Sequence, residues 1–168
     1  MAPSTETFIH PTAIVDKEAR LGEGVTIGPY AIVEAETEIG DGCRIDNHAT
    51  VRAHTTLGPR CRVHPSAVIG DVAQDLAYKG ERSYVHIGAD CVFREGSTVH
   101  RGTKEDSTTT LGNHIYMMVQ SHVGHNCTVA DHVILVNAAA LGGYVTVDSG
   151  AFISAFVGIH QFCRVGKL

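Results

Sequence analysis

The stretch Ser121-His122-Val123-Gly124-His125-Asn126-Cys127 carries two histidines three residues apart. A neutral imidazole, with an ordinary pKa of about 6.5, is well suited to take a proton from a weak nucleophile at neutral pH. Held against a hydroxyl, such a base contributes on the order of 10²–10⁴ in rate. The chain has 11 histidines, however, and most surface imidazoles are simply solvated. Whether His125 does chemistry depends on what positions it.

A repeat does the positioning. Aliphatic side chains recur at every sixth residue from Ile9 to Ile69 without a failure. The pattern resumes at Ile87, Phe93 and Val99, and again from Leu111 to Val165. Four residues after each of these the side chain is usually small, and all five cysteines (Cys43, Cys61, Cys91, Cys127 and Cys163) stand at that position. Six residues would turn an α-helix by about 600° and scatter the aliphatics in three directions. In extended chain they share one face, together with the small residue four later. A corner every six residues folds such a chain into a triangular coil with eighteen residues per turn. Each side then stacks on the side one turn below at about 4.8 Å. The sequence therefore predicts an all-β fold over residues 1–168, with 24 regular hexads in about eight triangular coils.

Two segments lack the pattern, one near 71–83 and a short one near 104–109. The aliphatic phase survives both. A loop as long as the first is uncommon without a role. It holds Gln74, Asp75, Tyr78, Lys79 and Glu81, and is expected to reach a neighbouring surface.

Composition removes other classes. A net charge of −5 with 18% charged residues gives no basic footprint for nucleic acid. No apolar run approaches the length of a membrane span. An odd cysteine count without close pairs argues against a disulfide framework or a zinc knuckle. A cytoplasmic protein without metal or cofactor is the default.

With eighteen residues per turn, His125 stacks on Gly143 and Gly143 on Gln161, in an outward column. A histidine, a bare backbone amide and a carboxamide in one column can contact a ligand lying along the prism. His114 and His132 form a second stacked pair, and His10, His64 and His100 are expected to share a third column.

Four strings go beyond the generic hexad: Gln74-Asp75-Leu76-Ala77-Tyr78-Lys79-Gly80-Glu81, His100-Arg101-Gly102-Thr103, His122-Val123-Gly124-His125-Asn126-Cys127, and Val157-Gly158-Ile159-His160-Gln161-Phe162-Cys163. In this order they resemble the UDP-N-acetylglucosamine O-acyltransferases that begin lipid A biosynthesis, a family of hexapeptide-repeat enzymes. The resemblance implies a left-handed parallel β-helix and a homotrimer with sites between adjacent prisms. It implies transfer of a hydroxyacyl chain from acyl carrier protein to the 3-hydroxyl of UDP-N-acetylglucosamine. His125 matches the general base, Asp75 the carboxylate that orients it, and the Gly143 N–H the oxyanion donor. Gln74, Lys79, His122, Tyr144, His160 and Gln161 match positions that hold substrate. A thioester donor is already activated, so a base and an oxyanion donor suffice without a covalent intermediate.

The sequence departs from that family in three places. Ala77 stands where the family has a lysine, with Lys79 two residues on. Tyr144 replaces a histidine and does not titrate near neutral pH. The chain ends at Leu168, where the family continues into further coils and a helical C-terminal domain. A non-catalytic trimeric scaffold is therefore a second reading. A zinc enzyme of the β-helical carbonic anhydrase type is a third, disfavoured because His122 and His125 have the wrong spacing.

Overall fold

Each hexad contributes one short strand and one corner. In the computed structural model, which describes residues 6–167, 24 such strands form three parallel sheets of eight. Consecutive strands go to consecutive faces, so each strand pairs with the one a full coil away. Ile27 pairs with Ile45 and Ile45 with Val63 on the first face. Val123 pairs with Leu141 and Leu141 with Ile159 on the second. Leu111 pairs with Val129 and Val129 with Val147 on the third.

These residues fill the prism. Ile27, Ile45, Val63, Phe93, Val123 and Leu141 are completely buried, each such burial being worth about 1.5–3 kcal/mol. Cys43, Cys61, Cys91 and Cys127 are buried at the small inward position, as the spacing predicts. Cys163 is exposed, because no described coil stacks beyond it.

The corners explain much of the histidine content. Among the described residues, sixteen non-glycine residues have φ between 54° and 63°, nearly all of them at the turn between faces. His48, His54, His114 and His132 are among them, and His is one of the few side chains enriched in this left-handed region. His114 and His132 do stack, with ring centroids 4.7 Å apart. His100 does not share a column with His10 and His64. It lies in the second-face strand Thr98–His100, whereas His10 and His64 flank first-face strands. The reason is register: Arg62 pairs with Val92, thirty residues on rather than eighteen.

Both interruptions leave the prism at one corner. Residues 72–83 join the second-face strand Val68–Asp71 to the third-face strand Tyr84–Ile87. Residues 101–107 join Thr98–His100 to Thr108–Leu111, again from second face to third. The two loops are tied together. Ser83 Oγ donates to Gly102 O at 2.7 Å, Asp106 N to Arg82 O at 2.8 Å, and Arg82 N to Glu105 Oε2 at 3.2 Å. His125 occupies the same corner on the coil that follows, so both loops overhang it.

Candidate active site

His125 follows the strand His122–Val123 and precedes Asn126, whose φ of 59° turns the chain onto the third face. The corner would leave the imidazole outside the prism, as the column analysis expects. It is nonetheless only 4% exposed. The loops make the difference: the first brings Asp75 to one ring nitrogen, and the second holds Asn126, which sits at the other.

On one side, Asp75 Oδ2 lies 3.2 Å from His125 Nε2. The carboxylate is braced within its own loop: Oδ1 accepts from Ala77 N–H at 2.8 Å, and the Asp75 carbonyl accepts from Tyr78 N–H at 3.0 Å. Oδ2 is left for the imidazole. The first loop thus reaches a coil of its own prism.

On the other side, His125 Nδ1 lies 3.0 Å from Asn126 Oδ1. That oxygen also accepts from the backbone N–H of Thr103 at 3.0 Å, a contact only the oxygen end of the amide can make. Asn126 Oδ1 and the Asp75 carboxylate are both acceptors, so the ring has one at each nitrogen: the amide oxygen favours a proton on Nδ1, and Asp75 stabilises a proton on Nε2.

Gly143 lies against the ring. A Cβ built there would stand 2.2 Å from His125 Cε1 and 2.3 Å from Nε2, so no side chain fits while the imidazole keeps its place. The neighbouring amides of Gly142 and Tyr144 donate to Ile159 O and His125 O, both at 2.9 Å. Among the described residues no acceptor takes the Gly143 N–H.

Around these groups is a cleft of about 330 Å³ lined by Gln74, His100, His122, His125, Gly143 and Gln161, with Ala140, Leu141 and Ile159 as its apolar wall. His100 and His122 meet edge to face with centroids 4.7 Å apart. Burial, then the neighbouring His100 and His125, pushes His122 down to about 4. Burial lowers His100 as well. Both rings are therefore neutral hydrogen-bonding walls at neutral pH. His122 Nδ1 pairs with Thr98 Oγ1 at 2.8 Å. Burial raises the Cys127 thiol, which points into the prism, to about 11, and this removes it as a nucleophile at neutral pH.

The structure thus brings Gln74, Asp75, His122, His125, Gly143 and Gln161 to one place, with Tyr144 beside His125 in edge-to-face contact at 5.4 Å. It leaves two expected residues apart. Lys79 is turned into its own loop, its Nζ donating to Leu76 O at 2.9 Å. His160 is exposed, its Nδ1 donating to Gln161 O at 3.2 Å. The sequence reading missed Asn126 and the part His100 plays here. The string ending at Thr103 was the available signal for the second loop.

Residues 36–71 match the family model for the bacterial transferase hexapeptide (six repeats). The LpxA structure from Acinetobacter baumannii superposes with a TM-score of 0.93 at 37% identity, over 95% of this chain and 62% of that one. LpxA from Bacteroides fragilis, a UDP-N-acetylglucosamine acyltransferase, gives 0.93 at 37% identity, over 95% and 63%. A coil of the opposite hand could not superpose so well, and the chain is a left-handed parallel β-helix of the hexapeptide-repeat class. Curated relatives narrow this further. The acyl-[acyl-carrier-protein]–UDP-N-acetylglucosamine O-acyltransferase of Pseudomonas fluorescens is 53% identical over 161 residues, and that of Pseudomonas syringae pv. tomato 55%. The chain is a homologue of these O-acyltransferases. It spans about 62% of the length of the curated relatives it matches.

Proposed function

We propose that this cleft is the acyl-transfer site of a UDP-N-acetylglucosamine O-acyltransferase, which moves a (3-hydroxy)acyl chain from acyl carrier protein to the sugar 3-hydroxyl. One observation carries the reading. His125 has Asn126 Oδ1 at Nδ1, the Asp75 carboxylate 3.2 Å from Nε2 and an unused amide beside it.

The steps follow from those positions. His125 Nε2 takes the hydroxyl proton as the sugar oxygen attacks the thioester carbonyl. Asp75 stabilises the imidazolium this creates, an interaction absent before the transfer and therefore worth most in the transition state. The carbonyl oxygen becomes an oxyanion and accepts from Gly143 N–H. Collapse breaks the carbon–sulfur bond, and the imidazolium returns its proton to the departing thiolate. Gln74, Gln161, His122 and His100 offer polar contacts, while Ala140, Leu141 and Ile159 offer an apolar surface to the start of the acyl chain. We assign the homotrimer to this chain on the same footing, with the cleft completed by a neighbouring prism.

The test is His125→Ala, assayed for ester formation from hydroxyacyl carrier protein and UDP-N-acetylglucosamine. A fall of about 10²–10⁴ with an unchanged unfolding temperature is expected. Turnover at the parent rate would remove His125 as the base. Sedimentation equilibrium of the parent chain checks the trimer, and a monomer at assay concentration would overturn it.

A further inference from the structure

The hydrogen bonds that hold Asn126 continue through two more side chains. Asn126 Oδ1 accepts from Thr103 N–H and from Thr103 Oγ1–H, each at 3.0 Å. Thr103 Oγ1 also lies 3.1 Å from the Tyr144 hydroxyl. A carboxamide oxygen only accepts, so the single hydroxyl proton of Thr103 is committed to Asn126. Tyr144 must then be the donor to Thr103. The direction is set from end to end: Tyr144 O–H to Thr103 Oγ1, Thr103 O–H to Asn126 Oδ1, and His125 Nδ1–H to that same oxygen.

Tyr144 is itself held firmly. Its ring stacks on Phe162 with centroids 5.1 Å apart and planes 15° from parallel, and its N–H donates to His125 O at 2.9 Å. Thr103 is buried at 7% exposure. The three residues come from separate places: the second loop, the His125 corner and the corner one coil on. Their convergence follows from packing.

We propose that Tyr144 and Thr103 are positioning residues that fix the tautomer of His125 by locking the Asn126 amide with its oxygen toward Nδ1. A carboxamide has nearly the same shape when flipped. A flipped Asn126 would present its NH₂ to Nδ1, and the ring would move its proton to Nε2, the nitrogen that has to act as base. With the amide flipped, two Thr103 donors would face the donor end of the amide, which opposes the flip. Removing the Thr103 hydroxyl deletes one of them. Removing the Tyr144 hydroxyl frees Thr103 to rotate away. Tyr144 thus acts through Thr103 and Asn126 instead of holding substrate, as its sequence position had suggested.

The inference rests on the base reading of His125, but its primary readout does not. In the full chain labelled with ¹⁵N-histidine, long-range ¹H–¹⁵N correlation at about pH 8, where ordinary imidazoles are neutral, reports which nitrogen of each ring carries the proton. His125 is assigned by difference from His125→Gln. The parent should show Nδ1 protonated. Tyr144→Phe, which keeps the ring stack, and Thr103→Val should each raise the Nε2-protonated fraction. Both should lower kcat by about tenfold with KM unchanged, a loss smaller than removing the base itself. Thr103→Ser should restore the parent values. An unchanged tautomer ratio in both variants overturns the proposal, as does a raised KM at constant kcat in Tyr144→Phe. A shifted tautomer with unchanged kcat would uphold the positioning role and instead count against His125 as the base.

Discussion

Two corners of this prism share a backbone geometry and do opposite things with it. At the corner after the third face, a side chain from one coil caps the amide of the coil below. Asp41 Oδ1 accepts from Glu23 N–H at 2.9 Å, Asn113 Oδ1 from Ala89 N–H at 2.8 Å, and Asp131 Oδ1 from Asn113 N–H at 2.7 Å. At the corner after the second face, the same hexad positions are His125, Gly143 and Gln161. Gly143 has no side chain to offer the coil below, and its own N–H has no acceptor among the described residues. The first corner spends its polar side chains on satisfying backbone groups, the usual condition of a stable interior. The second withholds them and is roofed by loops that bring Asp75 and Thr103. The candidate site is a structural corner with its caps removed and a lid added.

The sharpest way to break this contrast is Gly143→Ala. Its backbone is outside the left-handed region, so the damage comes from the Cβ at 2.2 Å from the imidazole. Displacing the base and crowding the amide should cost about 10³ in acyl transfer, comparable to losing an oxyanion donor. Parent turnover in that variant would show the open corner to be incidental.

The half-buried His122 and His100 give the next largest effect, in stability. His122 lies at about 4 when folded and near its ordinary value of about 6.5 when unfolded. The unfolded chain therefore binds the proton first. Stability is full above about pH 6.5, declines as pH falls toward about 4, and is level below that, a loss of up to about 3 kcal/mol from this group. His100, lowered for the same reason, adds in the same direction. Denaturant unfolding across that range checks it, and His122→Asn should flatten the profile.

Asp75→Asn keeps the loop's shape but removes the charge facing Nε2. A fall in kcat of about thirtyfold is expected, with little change in KM, because the lost interaction is made only to the imidazolium. A change confined to KM would make Asp75 a substrate contact instead. The smallest effect should come from the capped corner. Asn113→Ala uncaps Ala89 N–H and should cost about 1 kcal/mol in unfolding free energy while leaving acyl transfer within about twofold of the parent. Together, the glycine and asparagine substitutions ask whether activity and stability separate by corner.

The column of His125, Gly143 and Gln161 was legible in the sequence because the hexad phase is unbroken from Leu111 onward, and each step of eighteen is one coil. The grouping of His100 with His64 failed for the complementary reason. The first loop makes that coil thirty residues long, so a multiple of eighteen no longer lands on the same face. Asp75 carries no periodic signal, because it lies in a segment defined by the absence of the repeat. Thr103 stands four residues after Val99, where the repeat gives it an ordinary place as a small inward residue, and only similarity to a known family drew attention to the strings that hold both. Asn126 was hidden differently. At the left-handed position of a corner an asparagine has an ordinary explanation, and nothing in its spacing says that its oxygen points at the preceding ring.

The repeat by itself determined the triangular coil, its core and the column that carries His125, because each hexad makes the same local choice and stacking only multiplies it. Tertiary structure decided that His125 is buried, that Asn126 takes Nδ1 and Asp75 faces Nε2, and that Lys79 and His160 turn away. These outcomes depend on where two irregular loops close over one corner. Loop closure is settled by contacts between distant residues, such as Ser83 with Gly102 and Thr103 with Asn126, which no local pattern encodes.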